Sequence, residues 1–113
     1  MRNDAILAMD ELVDRVGDDR AFALELLGDF VRELEGLLAE ISGLVRSGDL
    51  AELKAKAHSL KGSSANLSLK ELSGRAAAIE AAAEGGDRER VQALEGGLIA
   101  AARRVLEYYP TLS

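Results

Sequence analysis

The chain has 113 residues, a single histidine, no cysteine and a net charge of −6. That length supports one domain with a modest core, and without cysteine there is no disulfide framework, thiol chemistry or cysteine zinc site. An acidic chain argues against nucleic-acid binding, and no apolar run approaches the ~20 residues of a membrane helix. Met1-Arg2-Asn3-Asp4 does not resemble a secretory signal, so a cytoplasmic location and no membrane association are expected. One histidine without cysteine also argues against a transition-metal site.

Helix formers dominate, and the only proline, Pro110, follows the last helical pattern. No stretch alternates with a period of two, so no strand is expected. The first predicted helix covers about 4–16, with Ile6, Met9, Val13 and Val16 on one face, and ends at Gly17. The second starts after Asp18 or Asp19 and runs to about Arg46, a length of about 40 Å. Its stripe is Phe22, Leu26, Phe30, Leu34, Leu37, Ile41 and Leu44. Ser47-Gly48-Asp49 closes it, because Gly48 can take the left-handed conformation that ends a helix. Asp49 and Glu52 have the spacing of a capping pair.

The third helix, about 50–66, carries Leu50, Leu53, Ala57, Leu60, Ser64 and Leu67 at spacings of three and four, which is a buried seam. Ser68 and Glu71 form an S-x-x-E box, so a fourth helix begins near Leu69. Leu72, Ala76, Ile79 and Ala83 are its inner face, and Gly85-Gly86 ends it. Asp87 caps the fifth, which presents Val91, Leu94, Leu98, Ala102, Val105 and Tyr109. Linkers of two to four residues make successive helices antiparallel. Residues 1–113 are therefore read as a single all-α domain. Helices two to five form an up-down-up-down antiparallel four-helix bundle, with a short additional N-terminal helix packed on one end.

His58 lies about 100° round the third helix from Ala57, at the edge of the seam. Lys54 and Ala55 stand one turn before it, Lys61 and Gly62 one turn after. Cations and very small residues beside an imidazole suit the close approach of another protein. Gly62 costs roughly 1 kcal/mol against alanine inside a helix, and its missing Cβ opens the surface beside the ring. Close helix packing accounts for a glycine equally well, and Gly36 and Gly43 show that helix glycines are tolerated here. The window 49–70 holds all four lysines and carries +2, against −8 for the rest. That patch points to an anionic ligand or an acidic partner, or to lysines covering an exposed face. Ser63 lacks a second histidine and a G-x-S-x-G elbow, so it is not read as a hydrolase nucleophile. Gly85-Gly86 lacks the Lys-Ser/Thr of a phosphate-cradling loop, so neither ATP binding nor autophosphorylation is expected.

The run His58-Ser59-Leu60-Lys61-Gly62-Ser63-Ser64, followed by Asn66-Leu67, resembles the signature of histidine phosphotransfer (HPt) domains of bacterial multistep phosphorelays. That signature is a histidine, a variable residue, a hydrophobe, then Lys-Gly-Ser/Ala-Ser/Ala. The long acidic helix before it, the Ser47-Gly48-Asp49 turn and the Gly-Asp turn near 86 are similar too, over roughly residues 5–109. Ser68-Leu69 departs from the family, which often has Gly-Ala there. The resemblance implies His58 as phosphoacceptor, Lys61 as the cation that pairs with the phosphate, and Gly62 as the opening for access. Lys54, Ala55, Ser59 and Ala65 are then the partner-binding surface, with Lys54 a second helper to the phosphate. It implies receiver domains of response regulators or hybrid histidine kinases as partners. Phospho-aspartate is the donor and a second aspartate the acceptor. The chain needs no cofactor of its own, the Mg2+ being expected on the receiver, and it is a phosphocarrier, not an enzyme.

Imidazole nitrogen is nucleophilic only when neutral, and Lys54 and Lys61, if close, would keep it so and later pair with phosphate oxygens. A closed bundle with one site suggests a monomer. Another class stays open: a non-catalytic helical interaction bundle, or a degenerate relative that binds receivers without accepting phosphate. A module cut from a larger kinase is a further possibility, against which Met1 points to an independent chain. Exposure of His58 and open space beside Gly62 discriminate among these.

Overall fold

The structure, a computed structural model, describes residues 5–112. Five α-helices follow in order: α1 (Met9–Arg15), α2 (Arg20–Ser47), α3 (Leu50–Asn66), α4 (Lys70–Glu84) and α5 (Arg88–Tyr108), with a 3-10 turn over Tyr109–Leu112. Among the described residues there is no strand.

The helix starts follow local chemistry. Asp19, Asp49 and Asp87 each accept the backbone N–H three residues on, at 3.0, 3.1 and 3.0 Å, satisfying a donor the helix itself leaves free. Gly48 closes α2 at φ 75°. α3 and α4 end alike. The Leu69 N–H reaches back to the Ser64 carbonyl and Ser68 to Ala65, and Asp87 and Gly86 do the same to Ala82 and Ala83. This double bond pattern needs one left-handed residue, supplied by Ser68 (φ 59°) and Gly86 (φ 70°).

Ser68 therefore does not cap α4. Leu69 occupies that position without a side-chain bond, and the Ser68 hydroxyl donates instead to Glu11 at 3.2 Å. The left-handed backbone also explains why glycine suits this place.

Two other expectations change. The first helix begins at Met9, not near 4 (residue 4 lies outside the described residues). Ile6 and Leu7 are buried in the irregular stretch before it, and the Ala8 N–H donates to the Ser68 carbonyl at 3.1 Å. On α2 the core face is Ala23, Leu27, Phe30, Leu34, Ile41 and Val45, and Phe22 stands 44 % exposed. The sequence offers two adjacent apolar residues at several turns (Phe22/Ala23, Leu26/Leu27, Leu44/Val45), 100° apart, and periodicity alone does not choose between them. The α3 seam is as expected at Leu53, Ala57, Leu60 and Ser64, which are buried, while Leu50 and Leu67 at its two ends are half-buried.

α2, α3, α4 and α5 pack as a closed ring, each on two neighbours, and α1 rests on α2. α3 and α4 run antiparallel: Lys54 pairs with Glu84, and the Lys61 carbonyl accepts from the Ser73 hydroxyl at 3.0 Å. Glu71 holds Arg104 of α5 through both oxygens, at 2.7 and 2.8 Å.

α1 also fastens the end of α3. One Arg15 nitrogen donates to the Ala65 and Asn66 carbonyls, both at 2.7 Å, while Glu11 pairs with Arg15 and Lys70, each at 2.9 Å. A cation on orphan carbonyls stabilises a helix C-terminus. Arg15→Ala is expected to lower stability by about 1 kcal/mol. Hydrogen exchange should speed selectively in the last turn of α3; a uniform change across the bundle would speak against a local clasp.

Candidate functional site

Burial of Ala57 and Leu60 fixes the rotation of α3, so His58 must point off the seam. Its side chain is 66 % exposed. The facing edge of α4 supplies Glu80, adjacent to the buried Ile79 as His58 is to Ala57. One Glu80 oxygen lies 2.8 Å from His58 Nδ1 and the other accepts from Lys61 Nζ at 2.7 Å. Glu80 is only 16 % exposed, yet Lys61 first and His58 second hold its carboxyl below the usual carboxylate range, against the opposing effect of burial. It is an anion at neutral pH and has acceptors only. The Nδ1 contact therefore requires the proton on Nδ1, and in the neutral ring Nε2 carries the lone pair. The free nitrogen belongs to a ring whose other side is anchored.

The cationic patch dissolves in three dimensions. Lys54 pairs with Glu84 at 3.4 Å, Lys56 with Glu40 at 2.8 Å, Lys61 with Glu80 and Lys70 with Glu11. Each lysine faces a glutamate from another helix, which a window along the chain does not register. A carboxylate, not an ammonium, touches the imidazole, so the expected neutralising role of Lys54 and Lys61 on the ring does not match this geometry. Lys61, the expected phosphate partner, is 36 % exposed and engaged with Glu80.

A Cβ placed on Gly62 would meet nothing within 4 Å, so no helix inside this molecule needs the glycine. The same holds for Gly36 and Gly43; position beside His58 is what distinguishes Gly62. Lys54, Ala55 and Ser59 join His58, Glu80 and Ala51 around one shallow, open depression. Ala65 is exposed but lies outside it, two turns further along α3, with its carbonyl taken by Arg15.

Glu80 escaped the sequence reading. A signal existed: His58 and Glu80 stand eleven residues either side of Leu69, as Lys54 and Glu84 stand fifteen either side. An antiparallel hairpin folded at that turn brings such positions together.

An exposed histidine whose inner nitrogen is tied to a carboxylate thus stands on one helix of a closed helical ring. The Hpt domain family model matches residues 25–107, well over half of the chain, and the chain belongs to that family. It is a phosphocarrier module of two-component phosphotransfer, a class whose members work with receiver domains. No curated protein and no solved structure matches it. Among the described residues, no helix is long and apolar enough to cross a membrane.

Proposed function

We propose that the protein relays a phosphoryl group between aspartates of receiver domains, carrying it on Nε2 of His58. The observation that supports this most is an exposed ring whose Nδ1 is paired with a carboxylate. In this reading the four long helices run up-down-up-down as a monomeric cytoplasmic bundle, and their task is to present α3 rigidly.

The receiver docks over Ala55, Ser59 and Gly62 and brings the phospho-aspartate and its Mg2+. Transfer depends on in-line placement and on neutralising the phosphoryl charge more than on acid–base chemistry. Small residues keep the surface low enough for the phosphorus to reach Nε2, and Lys61 offers the cation. Lys54 and Ala65 extend the docking face along α3. An inert interaction bundle has no use for a carboxylate clamped to a solvent-facing imidazole, which weighs against that alternative.

Incubation with a radiolabelled phospho-receiver is expected to place an acid-labile, alkali-stable label on the protein. A second receiver should then discharge it. Stable binding of receivers without any label passing would refute the relay and support the interaction bundle.

A further inference from the structure

Lys61 is held by α4 through its main chain as well as its side chain. Glu80 takes the ammonium at 2.7 Å, and two turns earlier on the same face of α4 the Ser73 hydroxyl donates to the Lys61 carbonyl at 3.0 Å. Among the described residues, this is the one hydrogen bond between the four long helices that ends on backbone; the others join side chains.

The bond falls where α3 is weakest. Gly62-Ser63-Ser64 follow Lys61, and glycine and serine are poor helix formers. Glycine also leaves the backbone freer than any other residue, and nothing packs on Gly62 to restrain it. The opening beside His58 therefore comes with a soft stretch of helix. Ser73 grips the peptide unit between Lys61 and Gly62 itself. A carbonyl oxygen has two lone pairs, so it accepts from Ser73 as well as from the amide of its own helix.

We propose that Ser73 is a positioning residue for phosphoryl transfer. Its hydroxyl pins the Lys61–Gly62 peptide to α4, so the Lys61 stem and the His58 ring keep one spacing although the glycine leaves the helix soft. This deepens the phosphocarrier reading of His58 and rests on it. The residue type fits the role. α4 is rich in alanine, which would suit the helix better at 73 and would place no polar atom in a half-buried position, but only a hydroxyl reaches the carbonyl. Leu72 and Ala76, buried either side of Ser73, keep α4 from shifting away from α3. Arg15 secures the last turn of α3 at Ala65 and Asn66, which leaves the Lys61 carbonyl as the backbone anchor nearer the ring.

Phosphoramidate, a small donor with no docking requirement, provides the test, because it reads the spacing of ring and cation without a receiver. Labelling rates and thermal melts are compared for wild type, Ser73→Ala, Ser73→Thr, Gly62→Ala and the variant carrying both alanines. S73A should label about tenfold more slowly, the effect of a displacement of roughly half an ångström. Amide exchange should speed at Ala65, whose N–H meets the same carbonyl in a regular helix. S73T, which keeps the hydroxyl, should stay within about twofold of wild type. With alanine at 62 the helix is stiff without help, so removing the hydroxyl there should change the rate by less than about twofold. S73A labelling at the wild-type rate, whatever its melting temperature, would make the bond a structural clip only and overturn the proposal. An equal loss with glycine and with alanine at 62 would overturn it too, by detaching Ser73 from the soft stretch. Failure of wild type itself to take phosphate would overturn the carrier reading, and this inference with it.

Discussion

Replacing His58 by glutamine is expected to abolish phosphoryl acceptance and leave the bundle intact. The ring is largely solvent-facing and its one hydrogen bond runs to Glu80, which Lys61 continues to neutralise. A side chain this exposed adds little to the core, so the change in stability should stay within about 0.5 kcal/mol. The glutamine amide can donate to the same carboxylate. It has no nucleophilic lone pair, since amide nitrogen is delocalised into its carbonyl, and acceptance should fall by at least about 10³-fold, to background. Labelling by a phospho-receiver and by phosphoramidate, alongside thermal melts, checks both halves. Label persisting on a folded H58Q protein would move the acceptor elsewhere.

The second large effect is expected at Gly62, where stability and function should separate. A side chain there meets nothing inside the molecule, and glycine is a poor helix residue. Gly62→Gln should therefore raise stability by about 0.5–1 kcal/mol. The same side chain projects into the space a receiver must enter, one turn from His58. A displacement of about 1 Å in an in-line transfer costs on the order of a hundredfold, so receiver-dependent transfer should fall by about that factor. Labelling by phosphoramidate, which needs no docking, should stay close to wild type. Unchanged receiver transfer in this variant would mean that the receiver approaches from another side and that Gly62 has no part in access.

Much of the scaffold is legible along the chain because its signals are local. Asp19, Asp49 and Asp87 announce helix starts through bonds that span three residues, and Gly48 and Gly86 end helices with backbones glycine adopts freely. The α3 seam reads cleanly since its large apolar residues, Leu53 and Leu60, fall on one face without a large apolar neighbour beside them. α2 reads less well, because paired apolar residues leave its rotation to be decided by what packs against it. Ser68 misleads for a related reason. Its hydroxyl has a capping sequence in reach, yet the end of α3 demands a left-handed residue and Glu11 supplies a better acceptor. At the site, the histidine and its flanking lysine and glycine are contiguous and stand out. Glu80 comes from the other arm of the hairpin, and so do the partners that cancel two of the lysine charges. Counting outward from the turn at Leu69 recovers His58–Glu80 and Lys54–Glu84, whereas composition and periodicity along one helix do not.

The proposed relay puts phosphate on Nε2 of His58 and leaves a proton on Nδ1. Because the chain holds a single histidine, 15N-histidine labelling yields one ring with two nitrogen resonances and no ambiguity of residue. NMR of the phosphoramidate-treated protein is the direct measurement. The expected spectrum shows phosphorus bonded to Nε2 and a proton on Nδ1. A folded protein with no phosphohistidine, or with phosphorus on Nδ1, would rule out carriage on Nε2.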